Sequence, residues 1–421
     1  CLPYIIMPLK NRGRIIVKEP FKLNGTLYQK IYQPVVAICL DGTSPAYLES
    51  AIRSGCMPVM KKLKEEKYFM TATSVMPSFT NPNNIAIITG TEPEKNGICG
   101  NYFYDVEQDC EVMMDKPEFL RVPTILEAAS RAGHLVAAIT AKNKLLKLLS
   151  KGWEGVAFSG ERADQTQFAD IGNVAEELNE APPHYSEACI NRYTMQAAYL
   201  VFCRTSLDLM YISLTDCVQH RSAPGQDEAN IMLSEIDEII GKFIDRGARV
   251  GITADHGMNY KIKADGTPNI IYLEDVITRF VGSQIRVVLP ITDPYVTHHA
   301  ALGSFATVYC LEKESELIKV MLSRTKGIDE VLTKNEACRK YALPADRMGD
   351  LVVLAQRDTV FGKTPANHDL SKLKGPLRSH GGLTETTVPF VLSETVDEDK
   401  QKKSVKNWEL FDYLINRCNG L

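Results

Sequence analysis

Three apolar runs in this chain end on residues that can hold a divalent metal. The run 248–254, rich in β-branched residues, leads into Asp255-His256-Gly257-Met258. The run 35–40 leads into Asp41-Gly42, and the run 207–214 into Thr215-Asp216-Cys217-Val218-Gln219-His220. Such runs, closed by turn residues, predict buried strands. In open α/β sheets, ligands bind outside the carboxyl ends of the strands. Carboxylate oxygen and imidazole nitrogen gathered there suit a divalent cation. Asp216 and His220 are four residues apart, so one helical turn puts both side chains on one face. Cys217 points elsewhere on such a turn and reads as a packed thiol.

Four other segments carry chemistry of their own. In Thr80-Asn81-Pro82, the proline suits the first turn of a helix and Thr80 or Asn81 suits its cap. A helix N-terminus also favours an anion, although the ordinary role of a threonine there is capping. Lys142 and Lys144 follow the apolar run 135–139 at i, i+2 spacing. They either reach into one cleft or begin a solvated helix, and the second is the ordinary reading. His380 sits in Ser379-His380-Gly381-Gly382, where glycines let a metal or phosphate approach the backbone. His298 and His299 are adjacent, so their side chains diverge and make poor joint ligands.

The elements that must position these residues form an α/β pattern. Residues 21–28 alternate around Asn24-Gly25, a β-hairpin signal. Helices are predicted over 45–66, 124–133 and 227–246, a further strand over 388–392, and an amphipathic helix at the end of the chain. Residues 267–366 hold short strands at 285–291, 304–311 and 351–355 and a helix over 315–323. They predict a small inserted α/β domain between Gly266-Thr267-Pro268 and Gly362-Lys363-Thr364-Pro365. The metal-binding core is then 1–266 with 367–421.

The bulk numbers bound the class. A chain of 421 residues with 44% apolar and 24% charged content is ordinary for a large globular protein. The formal charge of −4 argues against general affinity for nucleic acid or an anionic membrane. No apolar run approaches the ~20 residues needed to span a bilayer. The start of the chain lacks the basic leader and long apolar region of a signal peptide. The 11 cysteines are scattered, with no Cys-x-x-Cys pair. A reduced, cytoplasmic protein is the expectation.

Taken together and in this order, the residues resemble the alkaline phosphatase superfamily along most of the chain. The marks are Leu40-Asp41-Gly42, Thr80-Asn81-Pro82, Asn96-Gly97-Ile98-x-Gly100-Asn101, Thr215-Asp216-x3-His220, Ala254-Asp255-His256-Gly257-Met258, Gly349-Asp350-Leu351-Val352 and Ser379-His380-Gly381. Within it the chain is similar to the phosphonoacetate hydrolase family, through Thr140-Ala141-Lys142-Asn143-Lys144 and Ala86-Ile87-Ile88-Thr89-Gly90. The resemblance implies an alkaline-phosphatase-like core with a mostly parallel sheet, helices on both sides and the inserted unit as a cap. It implies two zinc ions per subunit, one on Asp216, His220 and His380, the other on Asp41, Asp255 and His256 beside Thr80. Thr80 becomes the nucleophile, Asn101 holds the phosphoryl group, and Lys142 and Lys144 take the substrate carboxylate. The implied reaction cleaves phosphonoacetate to acetate and phosphate through a phospho-Thr intermediate. The implied partner is that small molecule; a homodimer is the assembly left open.

Elementary chemistry is consistent with those roles. Two divalent cations bring +4 and three aspartates −3, leaving about +1, so two lysines complement a trianionic substrate. A C–P bond leaves a carbanion behind, tolerable only where its charge spreads into the adjacent carboxylate. Lysines on that carboxylate would act where charge develops. The alternative is a nucleotide pyrophosphatase/phosphodiesterase, or another phosphonate or phosphate ester hydrolase of the superfamily, which shares the ligands and the threonine. A sulfatase would want Cys or Ser at position 80, and a non-catalytic binding protein would want ligands missing.

Overall fold

The computed structural model describes residues 17–282, 285–292, 300–373 and 375–419, and the His298-His299 pair lies outside them. Its central sheet has seven strands in the order Tyr68–Thr73, Thr387–Leu392, Arg249–Thr253, Val35–Cys39, Leu209–Ser213, Val136–Thr140 and Val156–Ser159. The last five run parallel to one another. Thr387–Leu392 is antiparallel to both of its neighbours. In Val35–Cys39 every residue is buried, as expected for a parallel strand covered by helices on both faces. Alternate side chains feed opposite layers: Val35, Ala37 and Cys39 join one apolar cluster, Val36, Ile38 and Leu40 the other.

Register carries the functional consequence. Thr253 pairs with Cys39, Cys39 with Ser213, and Ser213 with Thr140. Four strands therefore end in one row, and Asp255, Asp41, Asp216 and Lys142 all lie two or three residues beyond it.

Several expected elements stand as read. Phe21–Leu23 and Thr26–Tyr28 pair across Asn24-Gly25, both with positive φ. Thr124 caps Ile125–Arg131 through the Glu127 amide. Others differ. The single helix over 45–66 is two, Pro45–Arg53 and Pro58–Glu66. Gly55 takes φ +81° between them, and Pro58, which cannot donate an amide hydrogen, starts the second. The closing helix is not regularly α: it passes through Asn407–Glu409, Leu410–Asp412 and Tyr413–Arg417 with changing pitch. The Cys418 amide reaches back to the Tyr413 carbonyl at 2.9 Å, while Arg249 takes the Leu414 carbonyl at 2.7 Å.

A second, antiparallel sheet holds Arg286–Val288, Phe305–Tyr309, Leu351–Ala355 and Ile328–Thr333 in that order. Helices Leu273–Val281, Glu312–Ser323 and Lys334–Tyr341 accompany it. Ile270–Tyr272 and Val360–Gly362 pair in parallel where the segment leaves and returns. The apolar side of this unit is continuous with the core: Phe305 meets Phe79 edge to face at 6.2 Å, just before Thr80.

Candidate active site

Thr80 is the first residue of helix Thr80–Thr89, and the residue before it, Phe79, occupies the cap position. The Thr80 hydroxyl therefore does not cap the helix, contrary to the ordinary reading of the segment. It points at the strand ends, donating to Asp41 Oδ1 at 3.5 Å, with His256 Nε2 at 3.3 Å. The bend that brings it there is held by Asn83. Its Oδ1 accepts the Val75 amide at 2.7 Å, and its amide donates to the carbonyls of Val75, Pro77 and Phe79.

All six Asp and His residues singled out in the sequence meet in front of Thr80. Ligand atoms of Asp41, Asp255 and His256 lie within 4.8 Å of one another, and so do those of Asp216, His256 and His380. His220 joins through Nε2, 2.9 Å from Asp216 Oδ2, on the one-turn geometry expected from its spacing. The rings of His256 and His380 stack at 3.6 Å, nearly parallel. Each histidine commits Nδ1–H to a backbone carbonyl: His220 to Arg378 at 2.9 Å, His256 to Gly257 at 2.9 Å, His380 to Ser78 at 2.8 Å. That fixes the tautomer and leaves Nε2 as an acceptor facing inward, the arrangement typical of metal-ligating imidazoles.

The electrostatics also fit a cation. Asp41 Oδ2 is buried with no hydrogen-bond partner. Burial, with Asp216 and Asp255 beside it, pushes the Asp41 carboxyl up to about 8. For His256, burial alone would lower the pKa, but Asp255, Asp41 and Asp216 raise it to about 10. Burial next to His256 holds His380 well below the usual imidazole value. Lys142 Nζ reaches Asp216 at 3.4 Å and Asp41 at 4.0 Å. A dry pocket with converging carboxylates holds protons in the absence of divalent charge. Burial and the converging carboxylates thus favour the protonated forms of Asp41 and His256, and a cation must displace those protons. Metal uptake is accordingly expected to release protons and to weaken as pH falls. Calorimetry of the metal-free chain in buffers of different ionisation enthalpy reads this directly.

Neighbouring side chains hold the ligands in place. Asp255 Oδ1 accepts the amides of Gly42 at 3.1 Å and His256 at 2.9 Å. Gly42 has φ +67°, and a Cβ there would stand 2.8 Å from the Asp216 Cβ, so the two strand ends approach only because position 42 is glycine. Asn84 escaped the sequence reading. Its amide donates to the Thr80 carbonyl at 3.0 Å and Asp255 Oδ2 at 3.2 Å, while its Oδ1 accepts from Tyr211 and Ser213, both at 2.8 Å. The available signal was polarity in the wrong place: an asparagine in an otherwise buried helix, facing hydroxyls on a buried strand.

Thr80, Asn101, Lys142 and Lys144 line one cleft above the ligands. Lys142 occupies the position before helix Asn143–Leu149 without a side-chain bond to it, and the Asn143 amide is fixed by Glu161 Oε1 at 2.5 Å. The two lysines therefore face the cleft rather than only beginning a solvated helix. Asn101 is held by the turn that follows strand Arg286–Val288: its backbone amide donates to the Pro290 carbonyl at 2.7 Å and its side chain to that of Ile291 at 3.2 Å. Arg347, just before strand Leu351–Ala355, donates to the carbonyls of Gly97 and Phe119 in the same loop region.

Substituting His380 by Ala removes one Nε2 from the half of the cluster that holds Asp216 and His220. The expected result is selective loss of one bound ion, with the other retained, read by metal analysis after dialysis.

Residues 35–383 match the family model described as type I phosphodiesterase / nucleotide pyrophosphatase. Two crystal structures of phosphonoacetate hydrolase from Sinorhizobium meliloti 1021, in complex with phosphonoformate and with phosphonoacetate, superimpose with a TM-score of 0.89. They are 43% and 42% identical, covering 94% of this chain and 98% of theirs. Murine ectonucleotide pyrophosphatase / phosphodiesterase 5 shares the fold at TM-score 0.62 and 15% identity, over 92% of this chain and 96% of its own. An uncharacterized pyrophosphatase/phosphodiesterase of Schizosaccharomyces pombe is 24% identical over 61% of this chain, and the match spans only 49% of that relative's length. No helix among the described residues is long and apolar enough to cross a membrane. The chain belongs to the type I phosphodiesterase / nucleotide pyrophosphatase family of the alkaline phosphatase superfamily, beside the phosphonoacetate hydrolases.

Proposed function

We propose that this chain hydrolyses the carbon–phosphorus bond of phosphonoacetate, giving acetate and phosphate. The observation that carries the reading is the placement of Lys142 and Lys144 in the same cleft as Thr80 and the Asp/His cluster. Likeness to a phosphonoacetate hydrolase in complex with phosphonoacetate supports it.

Asp216, His220 and His380 hold one divalent cation, and Asp41, Asp255 and His256 the other, with Thr80 beside it; zinc suits this oxygen and nitrogen donor set. Bound there, the two ions supply positive charge that lowers a hydroxyl pKa and neutralises phosphoryl oxygens. Asn101 donates to the phosphoryl group and orients it. Deprotonated Thr80 Oγ attacks phosphorus in line with the carbon, a phospho-Thr bond forms, and the C–P bond breaks. Its electron pair passes to the methylene carbon and delocalises into the carboxylate. Lys142 and Lys144, paired with that carboxylate, stabilise the charge as it develops, and the carbon then takes a proton from solvent, balancing the one Thr80 released to solvent before attack, to give acetate. Water hydrolyses the phospho-Thr and returns Thr80.

Residues 267–366 act as an inserted cap on a core of 1–266 and 367–421. The ten cysteines among the described residues stand as free thiols, which favours a reducing compartment such as the cytoplasm. A homodimer is the proposed assembly, for sedimentation to test.

The deciding experiment compares phosphate release from phosphonoacetate with hydrolysis of a nitrophenyl phosphodiester, with and without a chelator. Faster turnover of the diester would favour the pyrophosphatase/phosphodiesterase alternative. Full activity without metal would end the two-cation reading.

A further inference from the structure

We infer that the buried Lys261–Glu385 ion pair is a positioning device that sets the spacing between the two cation sites; the inference rests on the two-cation reading above. His256 and His380 come from separate loops, yet their rings stack at 3.6 Å, so something must fix one loop against the other. The backbone contribution is small. Asn259–Tyr260, after His256, pairs with Arg378–Ser379, before His380, in a two-residue antiparallel ladder. The Lys261 amide adds one bond to the Leu377 carbonyl at 2.9 Å. Two strands this short do not hold a geometry by themselves.

Glu385 closes the ladder from the far side. Its Oε1 accepts from Lys261 Nζ at 3.0 Å, Asn259 Nδ2 at 2.5 Å and Thr384 Oγ1 at 2.7 Å. Its Oε2 accepts the Gly382 amide at 2.9 Å, and its backbone carbonyl accepts the Gly257 amide at 2.7 Å. One residue thus bonds directly to the position after His256 and to the second position after His380. Lys261 ties the same point to the inserted unit by donating to the Arg357 carbonyl at 2.8 Å. Both side chains have zero exposure. A fully buried ion pair is a poor source of net stability, because desolvation offsets the attraction, and a better source of a unique arrangement. Glu385 and Lys261 each stand five residues from the nearer histidine and outside the ligand set. Theirs is a positioning role, since neither touches the reacting atoms.

The test uses the full chain, stripped of metal and reloaded with Mn(II). Three proteins are compared: wild type, Glu385→Gln, and Lys261→Met combined with Glu385→Gln. The double variant leaves no unpaired buried charge and keeps an acceptor at position 385. It therefore remains informative if Glu385→Gln alone fails to fold. Melting temperature, binding isotherm and electron paramagnetic resonance are recorded for each. Wild type is expected to bind two ions as a magnetically coupled pair. The double variant is expected to melt cooperatively but to show altered or lost coupling, with the weaker ion bound about 10–100-fold less tightly. Coupling and affinities identical to wild type in a folded double variant would overturn the positioning role. A wild type that binds a single ion would instead overturn the two-cation reading, and the inference with it.

Discussion

Replacing Thr80 by Ala is expected to abolish turnover while leaving both cations bound and the fold intact. Removing the nucleophile from a serine hydrolase costs on the order of 10⁶-fold in turnover, and a comparable loss is expected here. The structure sharpens the control. Loss of a helix cap costs about 0.5–2 kcal/mol, and Thr80 is not the cap: Phe79 holds that position, and Thr80 donates across the site to Asp41. Thr80→Ala should therefore shift the melting temperature little. Thr80→Ser should restore part of the activity, because it restores the hydroxyl. Rapid quench with substrate should trap phosphate on residue 80 in the wild type and not in the Ala variant. Near-normal turnover of Thr80→Ala would mean that water attacks phosphorus directly.

The second large effect concerns Lys142 and Lys144. Losing a group that stabilises developing charge typically costs ~2.7–4 kcal/mol, about 10²–10³-fold in kcat. Replacing either lysine by Ala should lower phosphonoacetate turnover by that factor and spare an aryl phosphate, whose leaving group carries no carboxylate. The two lysines should then part company in metal binding. Lys142 Nζ sits 3.4 Å from Asp216 and 4.0 Å from Asp41, so its positive charge competes with the cations. Lys142→Ala should bind metal more tightly than wild type, and Lys144→Ala should not. Equal losses on both substrates would place the lysines on the phosphoryl group. No loss on either would move the assignment to the phosphodiesterase alternative.

The strand ends were legible because burial in a parallel sheet forces continuous apolar runs, and the first polar residue after each run stands out. Asp41, Asp216 and Asp255 fall where those runs predicted, and register then aligns them. What the sequence did not disclose follows from the same physics. Val156–Ser159 is a four-residue strand at a sheet edge, too short to separate from a loop by pattern. Tyr68–Thr73 has mixed burial and carries no clean alternation. The break at Gly55 was missed because apolar periodicity continues across it. Taken alone, Thr80-Asn81-Pro82 could not separate a capping threonine from a nucleophile, because both favour the same residue type at helix starts; the resemblance pointed to the nucleophile, and the backbone of Phe79 now assigns the cap position to residue 79. Asn84 could be weighed only once Tyr211 and Ser213 stood opposite it.

The anchoring of Asn101 has a consequence for how this protein can vary. Its loop is fastened to Pro290 and Ile291, and a Cβ at Gly100 would lie 2.4 Å from the Pro290 Cβ. Any side chain at position 100 would push residues 290–291 away and carry the Asn101 amide out of reach of the cleft. Positions 100 and 290, almost two hundred residues apart in sequence, are therefore not free to drift separately. A chimera that exchanges residues 267–366 for a relative's segment should work only when it brings its own match to this contact. Grafting a foreign insertion onto an unaltered 96–101 loop should yield a folded, metal-loaded and nearly inactive enzyme.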